Sequence, residues 1–567
     1  MVKRGGIWHA SSWESYVADV QRAARALIEL GFAAGDRSCI LGFNRPEWAI
    51  FDLATMMAGG APAGIYTTCS PEEVHYIVDH SESPVVLVEN EEQWKKIDVM
   101  RGRLPKLRKV VVMRGTTIDD PLAIGWDDFL KLGGGEEAEL KKRIDALEPK
   151  GLATLIYTSG TTGPPKAVML SHENLAWTSR ILAQLTSMES GGRTLSYLPL
   201  SHIAEQMATL HGPITAGGTV YFAESIDKIA DNLKDCRPSM FFGVPRIWEK
   251  FHAAISGKLA DAKGAKKAIA TWARGVATKV ADVRNRGDEP AGLLAVQYAL
   301  AQRLVFGKLK AAVGLDQAKT LVSGAAPISK EVIEFFASLD LLVQEIYGQS
   351  EGSGPTSFNL YGRTKFGSVG PALPGVEVRI APEDGEILVR GPNVFLGYFK
   401  DPEATAETLK DGWLCSGDLG KFDEEGFLHI TGRKKDIIIT AGGKNITPKN
   451  IESGIKNSPL VHEAVVIGDR RKFLTAVVSL DLDACKKTMS DKGWTGEPHL
   501  SKEIEAEVMK TVEEVNQKLA RVEQVKKIKL LPRPLSIEEG ELTPTLKVKR
   551  NKVAQHFADL IEEMYAE

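Results

Sequence analysis

The sequence predicts an α/β protein. A large N-terminal domain of α/β subdomains would carry a small β-rich subdomain and be followed by a small α+β C-terminal domain. Strand-like and helical apolar patterns alternate over the first part of the chain, which is typical of a parallel sheet with helices on its faces. From Gly370, short strand patterns separated by Gly, Asp and Pro turns replace that alternation. The chain has 567 residues, more than one hydrophobic core normally contains, so we expect at least two domains.

A charged break marks the main predicted boundary. The residues TGRKKD, from Thr431 to Asp436, precede the apolar run from Ile437 to Ile439. We therefore expect a large domain over 1–432, a connecting segment at 433–436 and a small domain over 437–567. Within the large domain we expect a helical basic insertion at about 251–310 and the β-rich subdomain at about 370–432.

Hydrophobic periodicity predicts the first elements. Trp13 to Leu30 has the spacing of an amphipathic helix and ends before Gly31, a typical C-cap. The polar stretch from Leu132 to Leu147 is predicted to be a connection. The alternating strand-like and helical runs between them are Cys39 to Gly42, Trp48 to Met57, Ala63 to Tyr66, Pro71 to Asp79, Val85 to Glu89 and Val110 to Met113.

A loop rich in glycine and hydroxyl groups follows, with the sequence YTSGTTGPPK at 157–166. Predicted buried strands, Leu152 to Ile156 and Val168 to Leu170, flank it. Gly160 and Gly163 let backbone N–H groups point inward. Such a loop is suited to surround phosphate oxygens, although its glycine–lysine spacing is not that of a Walker A motif and a flexible turn is the alternative. Its hydroxyl donors and its positive charge come from Thr158, Ser159, Thr161, Thr162 and Lys166.

Three later strand ends also carry polar or glycine-rich turns. After a helix predicted at Glu173 to Leu185, Leu195 to Leu200 is predicted to be a strand. Leu321 to Pro327 is predicted to be a strand that runs into a Gly-Ala-Ala turn, and Val343 to Gly352 a strand followed by a tight polar loop. The β-rich part beyond them has the strand runs Val376 to Ile380, Gly385 to Arg390 and Gly426 to Ile430. Ligands of open α/β sheets bind at the carboxyl ends of strands. We therefore expect the loops 158–166, 199–202, 323–327 and 347–352 to converge on one crevice. His202 is a candidate site residue there, with a surface or core histidine as the alternative.

Composition excludes several classes of protein. Hydrophobic residues make up 43% and charged residues 26%, as in ordinary globular proteins, and the net charge of −3 does not favour nucleic-acid binding. The five cysteines are scattered without a C-x-x-C pair, which fits a reducing compartment rather than zinc or disulfides. The start, MVKRGGIWHASSW, lacks a signal-peptide core, and no run of about 18 apolar residues occurs. We therefore expect a cytoplasmic protein.

The segment from Trp248 to Lys310 has a helical pattern and a local basic excess. Eleven Lys or Arg residues stand against four Asp or Glu residues from Phe251 to Lys310. One interpretation is a basic face near an anionic membrane or an anionic cofactor, which would make the protein peripheral on membranes. The alternative is a solvated helical pair.

Seven segments occur in the order found in the adenylate-forming acyl-CoA synthetases, and the chain resembles that family over nearly its whole length. They are YTSGTTGPPK, YLPLSH, SGAAP, YGQSE, SGDL, ITGRKKDIIITAGGKNITP and the lysine loop GELTPTLKVKR. Three further segments resemble the long-chain and very-long-chain fatty acid branch of the bubblegum type: GVPRIWEKF, IGDRRKFLTAVVSLD and GELTPTLKVKRNKVAQHFADLIEEMY.

The resemblance implies a ligase that converts a long-chain fatty acid, ATP and coenzyme A into acyl-CoA, AMP and pyrophosphate with Mg²⁺. The fatty carboxylate would attack the α-phosphorus of ATP, and the thiol of coenzyme A would then attack the acyl-adenylate. A carboxylic acid with a pKa of about 4 to 5 is ionised at neutral pH and needs no general base. Acyl-chain length and oligomeric state are not predicted.

The resemblance also implies roles for individual residues. Lys547 would be the catalytic lysine of adenylation, His202 would lie near the acyl carboxylate, and Glu351 with Thr158 would bind magnesium. Asp418 would accept the ribose hydroxyls, with Arg433 beside the ribose or phosphates. The small domain would be mobile and swing about Lys435 in a hinge at 433–436, bringing Gly442 to the pantetheine channel. The other implied nucleotide-site residues are Pro164, Pro165, Lys166, Gly324, Ala325, Tyr347, Gly348, Gln349, Ser350 and Gly352.

Alternatives remain for two of these residues and for the overall activity. Glu351 could be a structural carboxylate, and Lys547 one cation in a surface cluster. The chain also departs from the family pattern at Ala167, Cys415-Ser416 and Leu546, and at Gln206, where some relatives gate the fatty-acid tunnel with tryptophan. The rival activities are a fatty acid adenylating enzyme that serves a carrier protein, a luciferase-like oxygenase, and a non-enzymatic nucleotide- or lipid-binding scaffold. The presence of Lys166, Glu351, Asp418, Arg433 and Lys547 disfavours the scaffold.

Overall fold

The computed structural model of the chain describes residues 1–158, 164–186, 188–442, 444–543 and 547–566. The strands in these ranges are β1 (Val2–Arg4), β2 (Ile7–His9), β3 (Arg37–Leu41), β4 (Ala61–Ile65), β5 (Val85–Val88), β6 (Lys109–Val112), β7 (Ala123–Gly125), β8 (Leu152–Thr158), β9 (Lys166–Ser171), β10 (Arg193–Ser196), β11 (Thr219–Phe222), β12 (Met240–Gly243), β13 (Thr320–Ser323), β14 (Val343–Gln349), β15 (Gly354–Phe358), β16 (Glu377–Ile380), β17 (Glu386–Arg390), β18 (Gly397–Tyr398), β19 (Leu409–Lys410), β20 (Trp413–Phe422), β21 (Leu428–Arg433), β22 (Ile438–Ile439), β23 (Asn445–Ile446), β24 (Val461–Ile467), β25 (Leu474–Leu480) and β26 (Val525–Leu530).

The helices in the same ranges are α1 (Trp13–Glu29), α2 (Pro46–Met57), α3 (Pro71–Ser81), α4 (Glu91–Asp98), α5 (Trp126–Leu132), α6 (Glu137–Asp145), α7 (His172–Leu185), α8 (Ile203–Gln206), α9 (Gly212–Ala216), α10 (Ile229–Cys236), α11 (Pro245–Ala260), α12 (Gly264–Arg284), α13 (Gly292–Ala301), α14 (Gly307–Val313), α15 (Lys330–Ala337), α16 (Pro402–Thr408), α17 (Pro448–Ile455), α18 (Leu482–Lys492), α19 (Lys502–Asn516), α20 (Arg550–His556) and α21 (Ala558–Tyr565). Two π-helical turns, Met207–His211 and Gln302–Phe306, extend α8 and α13. None of these helices combines the length and the apolar character needed to cross a bilayer.

The first sheet has the strand order β18-β9-β8-β4-β3-β5-β6-β7. Strands β3 to β8 run parallel, and β8 and β9 form an antiparallel hairpin around the glycine-rich loop. Alternate strand residues point to opposite faces, so Ile40 and Leu87 pack with α1 and α2, whereas Leu41 and Val86 pack with α3 and α4. A parallel sheet covered on both faces confirms the predicted α/β class.

Two further sheets complete the α/β part of the large domain. Their strand orders are β12-β13-β14-β15 and β10-β11-β1-β2, with parallel pairing among β12, β13 and β14 and between β10 and β11. Trp248 of α11 and Phe336 of α15 are buried between the helices and the first of these sheets. Strands β13 and β14 end beside the first sheet, and this arrangement brings their following turns towards the β8–β9 hairpin.

The β-rich part and the C-terminal part follow in chain order. Strands β16, β17, β19, β20 and β21 form an antiparallel sheet. Beyond the turn Lys434–Asp436, the sheet β24-β25-β26 is covered by α17 and α19 on one face and by α20 and α21 on the other. A large N-terminal part and a smaller α+β C-terminal part are thus confirmed, while the domain limits remain a prediction.

Two local predictions were wrong. The stretch from Leu132 to Leu147 contains helix α6, because Leu140 is buried against the α1–α2 core and gives the polar segment one apolar anchor. The strand predicted over Leu195 to Leu200 ends at Ser196, and Pro199, which has no N–H to donate, lies in the turn that follows. The helical pattern from Trp248 to Lys310 is confirmed by α11 to α14.

Candidate active site

Three of the four predicted loops line one cavity. The cavity is open to solvent at its mouth, the space between atoms in the cavity and mouth together is about 680 Å³, and its walls are mainly apolar. The loop and strand-end residues in its wall are His202, Ala325, Tyr347, Gly348 and Gln349, and the apolar remainder includes Leu182, Met188, Met207, Met240, Phe242 and Val322.

The fourth loop is described only at its two ends. The predicted phosphate-binding residues Ser159, Gly160, Thr161, Thr162 and Gly163 lie outside the described residues, as does Leu546. Thr158 and Lys166 are the last pair of the β8–β9 hairpin, and the Thr158 hydroxyl donates a 3.3 Å hydrogen bond to the Lys166 carbonyl. Pro164 and Lys166 are exposed, and Pro165 is half-buried. The hairpin therefore presents the Lys166 ammonium group to solvent at the edge of the first sheet.

Tyr398 connects Lys166 with Glu351. The Tyr398 hydroxyl donates a 2.7 Å hydrogen bond to Oε1 of Glu351, and Nζ of Lys166 lies 4.9 Å from the centroid of the same ring. Lys166 also lies 3.9 Å from Oδ2 of Asp401, a pair that is partly exposed and therefore weak. Sequence reasoning missed Tyr398, since an isolated Gly-Tyr-Phe pattern carries no specific signal. The residue reaches the site because β18 pairs with β9 next to the hairpin.

Asp418 is the centre of a second polar group. Its Oδ2 accepts a 2.8 Å hydrogen bond from the Tyr347 hydroxyl, and its Oδ1 accepts one of 2.8 Å from Nε of Arg433. Asp418 and Arg433 face each other across β20 and β21, so the pairing register sets their contact. The Asp418 carboxylate raises the pKa of the Arg433 guanidinium, and burial, followed by the Asp418 charge, raises the pKa of Tyr347 well above its usual value. These two hydrogen bonds consequently fix the orientation of the Asp418 carboxylate.

The departure at Cys415-Ser416 leaves the local hydrogen bonding complete. The Asp418 N–H donates to the Ser416 hydroxyl at 3.1 Å, and Gly417 N–H donates to Oε1 of Glu386 at 2.8 Å. Ser416 is buried and supplies a hydroxyl acceptor to the turn that carries Asp418.

Lys547 belongs to the C-terminal part but lies in the crevice of the large part. Its backbone N–H donates to Oγ1 of Thr543 at 3.0 Å, and its carbonyl accepts from Thr543 N–H at 2.8 Å. Surrounding protein lowers the pKa of the Lys547 ammonium to about 8, chiefly through loss of hydration and next through the charge of Arg433. The charges of Asp418 and Glu351 raise the pKa of the same ammonium and so partly offset this lowering. The side chain keeps contact with solvent along the crevice, so it remains a reachable cation.

His202 lies between the lysine and the apolar cavity. It is the N-cap of α8, where its Nδ1 accepts a 3.1 Å hydrogen bond from Ala204 N–H. Burial, followed by the nearby charge of Lys547, lowers the pKa of His202 to about 4. His202 is therefore neutral at pH 7, and because Nδ1 accepts a hydrogen bond, the ring proton is carried on Nε2.

A group of buried polar residues stabilises the turn that carries His202. Oε1 of Glu205 accepts from the Thr209 hydroxyl at 2.7 Å and from Tyr197 N–H at 3.0 Å, and burial raises the pKa of Glu205 to about 8. Gln206 donates to the Leu200 carbonyl at 3.0 Å and is buried. Neither side chain is in the cavity wall, so both act on the shape of the turn.

Two glycines among the predicted nucleotide-site residues are required by close backbone approach. A Cβ on Gly324 would lie 2.5 Å from Cγ2 of Ile346, and one on Gly348 would lie 1.7 Å from the Gly354 carbonyl oxygen. Gly348 sits at the irregularity in the β14–β15 pairing. Ala325 follows Gly324 with a φ of 67°, a left-handed conformation that is unusual for alanine.

The remaining predicted residues are divided between the crevice and the surface. Ser350 and Gly352 form the buried turn after β14, and the Gly352 carbonyl accepts a 3.1 Å hydrogen bond from Nδ2 of Asn393. Lys435 and Gly442 are exposed. Sequence reasoning also missed Lys449, at the start of α17. Burial lowers the pKa of Lys449, and the nearby charges of Asp418 and Arg433 also affect it.

The fold and this crevice define an enzyme class, and comparison with known proteins identifies it. The family model described as AMP-binding enzyme matches residues 2–399, and the one described as AMP-binding enzyme C-terminal domain matches residues 435–567. The chain belongs to the AMP-binding enzyme family. The resemblance inferred from the seven ordered segments is thereby confirmed.

Individual relatives cover almost the entire chain. The long-chain-fatty-acid–CoA ligase ACSBG2 of Gallus gallus is 38% identical over 100% of this chain and 78% of its own length. The long-chain-fatty-acid–CoA ligase FadD15 of Mycobacterium tuberculosis (strain ATCC 25618 / H37Rv) is 36% identical over 99% of this chain and 93% of its own. Among solved structures, ATP-bound MatB from Rhodopseudomonas palustris is 27% identical with a TM-score of 0.67, covering 97% of this chain and 94% of that chain.

Proposed function

We propose that the protein is a long-chain fatty acid–CoA ligase that converts a fatty acid, ATP and coenzyme A into acyl-CoA, AMP and pyrophosphate. One observation carries the proposal. The charges of Asp418, Arg433 and Glu351 change the pKa of the Lys547 ammonium group. The Lys547 charge in turn lowers the pKa of His202, which lies in the wall of the apolar cavity. A fatty carboxylate held in that cavity would meet the α-phosphate of ATP at Lys547. The names of the relatives support the same activity.

The chemical problem of the first half-reaction is electrostatic. An anionic carboxylate oxygen forms a bond to the α-phosphorus while the bond to the bridging oxygen breaks and pyrophosphate leaves. Positive groups already in place reduce the repulsion and stabilise the transition state. Lys547, with a pKa of about 8, is mainly protonated at pH 7, and Arg433 and Lys166 add two further charges. The neutral His202 adds no like charge beside Lys547 and can donate from Nε2 to the acyl carboxylate.

The ATP site of the proposal uses the polar groups described above. Asp418, oriented by Tyr347 and Arg433, would accept the ribose hydroxyls, and Gly324, Ala325 and Tyr347 would frame the adenine. The Thr158–Lys166 hairpin would hold the β- and γ-phosphates. Lone pairs beyond those used by Tyr347 and Arg433 remain on the Asp418 carboxylate for the ribose.

Magnesium fits the donor atoms of the site. Glu351 offers a carboxylate of which one oxygen is held by Tyr398, and Thr158 offers a hydroxyl on the neighbouring hairpin. Mg²⁺ prefers such oxygen ligands and usually takes only one or two carboxylates together with substrate phosphates. Glu351 and Thr158 would hold the ion, which would neutralise phosphate charge when bound.

For the second half-reaction we propose movement of the C-terminal part about Lys435, in the segment 433–436. The thiol of coenzyme A attacks the acyl carbon, the bond to AMP breaks, and the thiol proton passes to solvent. Removal of Lys547 from the crevice would make room for the pantetheine arm along Gly442. Both Lys435 and Gly442 are exposed, so the neighbours of each residue can change when the C-terminal part moves.

Palmitate-dependent exchange of labelled pyrophosphate into ATP tests the adenylation step. No exchange with any acid from C8 to C24 would contradict the proposal in favour of a binding scaffold. Thiol dependence then separates the acceptors, because AMP release that requires coenzyme A excludes a carrier-protein ligase and a luciferase-like oxygenase. The same chain-length series would define the acyl preference.

We further propose that the enzyme is cytoplasmic and contacts membranes peripherally through its basic helical segment. Its cysteines are free thiols, which supports a reducing compartment. The exposed lysines at the start of α12 support the contact, since each cation near an anionic leaflet adds about 1 kcal/mol. Substituting Lys263, Lys266 and Lys267 with glutamine should weaken co-sedimentation with anionic vesicles. Unchanged co-sedimentation would rule out these lysines.

A further inference from the structure

Helix α13 has apolar residues on two opposite faces. One face packs on α12 in a small core that contains Val276, Tyr298 and Phe306. The opposite face is exposed and forms what we term the apolar stripe, which consists of Leu293, Val296, Leu300 and Leu304. These side chains are 73%, 67%, 48% and 45% exposed in that order. Spacings of three and four residues place them on one side of the helix and of its π-helical extension.

Such a surface is unusual on a folded protein. A helix that is apolar all round is normally buried in a core or in lipid. Single exposed apolar residues need no explanation, and Val99 and Leu500, at 67% and 74% exposure, lie alone in separate elements. Contiguous apolar surface, by contrast, marks a place where another body binds. The apolar stripe is therefore a candidate contact surface rather than part of the fold's own core.

The charges around the apolar stripe identify the kind of partner. No Asp or Glu occurs between Pro290 and Leu315, whereas Arg303 and Lys308 lie next to the stripe and are exposed. Neither cation is in an ion pair within the described residues. Of the acidic groups on packed elements, Asp340 contacts Lys310 and Tyr298, and Glu289 lies 3.2 Å from Arg284. Asp282 on α12 and Asp288 ahead of α13 are exposed carboxylates.

We infer that the apolar stripe docks on the anionic leaflet of a membrane. The four apolar side chains enter the boundary between headgroups and acyl chains, and Arg303 and Lys308 reach the lipid phosphates. The inference rests on the proposed function, because the long acyl chain of the proposed substrate partitions into membranes. It places an apolar contact on α13, in addition to the basic contact proposed for the lysines at the start of α12. Apolar insertion and basic flanks together distinguish a bilayer from a purely apolar protein groove.

Flotation of the full-length protein with vesicles tests the assignment. The test variant carries Leu293→Ser and Leu300→Ser, and the matched control carries Val99→Ser and Leu500→Ser. With phosphatidylcholine vesicles that contain phosphatidylserine, the test variant should bind roughly tenfold or more weakly than the unchanged protein, because two inserted leucines are lost. The control should bind normally. Equal binding by the test variant, or no binding by the unchanged protein, overturns the inference.

Two further measurements distinguish an anionic bilayer from a neutral surface and from a second copy of the chain. Arg303→Gln with Lys308→Gln should weaken binding to the phosphatidylserine vesicles while leaving binding to phosphatidylcholine vesicles unchanged, and an equal effect on both contradicts an anionic partner. If the unchanged protein binds no vesicles but forms a dimer, and the test variant is monomeric, the apolar stripe is instead an interface with a second copy of the chain. Pyrophosphate exchange with palmitate supplied on cyclodextrin should be unaltered in all variants. Loss of exchange in the unchanged protein would refute the proposed function while the flotation result stands separately.

Discussion

Tyr398 donates a 2.7 Å hydrogen bond to Glu351, and the two residues come from different parts of the large domain. Glu351 follows β14 of the second sheet, whereas Tyr398 belongs to β18 at the edge of the first. Lys166 lies over the Tyr398 ring on the adjacent strand. One side chain thus sets the position of both the proposed magnesium ligand and the proposed phosphate lysine.

Tyr398→Phe should lower kcat/KM for ATP by roughly tenfold, because a hydrogen bond to a charged group contributes about 1.5–3 kcal/mol and the ring under Lys166 is kept. The magnesium concentration needed for half-maximal pyrophosphate exchange should rise. Tyr361→Phe, at an exposed tyrosine, is the control and should change neither quantity. An unaltered magnesium requirement in Tyr398→Phe would show that the hydrogen bond does not position Glu351.

Lys547→Ala should reduce acyl-adenylate formation by at least about a hundredfold, since the cation at the reacting phosphate is lost. Conversion of supplied palmitoyl-adenylate and coenzyme A to palmitoyl-CoA should stay close to that of the unchanged enzyme. Lys549→Ala, two residues further along the same loop, is the matched control. Equal losses in both half-reactions would refute the assigned role of Lys547.

The pH dependence of adenylation should reveal the Lys547 ammonium. Its pKa is lowered to about 8, so the required cation is present below pH 8 and is lost as the pH rises through that value. The exchange rate should therefore fall above about pH 8, and Lys547→Arg should shift that fall to higher pH. His202, with a pKa of about 4, should produce no change between pH 6 and 8. A fall near pH 8 that persists in Lys547→Arg would assign it to another group.

Gly348→Ala should destabilise the protein by roughly 1–3 kcal/mol or more and impair ATP binding, because its Cβ would lie 1.7 Å from a backbone oxygen. Thermal unfolding with and without ATP measures both effects. Gly257→Ala provides the control, since its Cβ would meet no atom within 4 Å in helix α11 and alanine favours the helix. A Gly348→Ala protein with normal unfolding and normal ATP protection would show that the β14–β15 pairing can shift.

The sequence alone was sufficient to predict the α/β architecture, and it named candidate residues for the site. Apolar runs such as Val85 to Glu89 and Val110 to Met113 correspond to strands because a buried parallel strand leaves a continuous apolar pattern. The ordered motifs named Lys547, Asp418 and Glu351 before any contact between them was known. Helix α6 was missed because Leu140 alone makes its apolar contact.

Only the tertiary structure decided which distant groups meet. Tyr398 reaches Glu351 through an edge-strand pairing, and Lys449 comes close to Asp418 through the position of α17, neither of which a linear pattern encodes. The pKa values of Lys547 and His202 likewise depend on how much water the surrounding chain removes. Local sequence determines secondary structure through short-range periodicity, but burial and electrostatic fields arise from residues hundreds of positions apart, and those are brought together by packing alone.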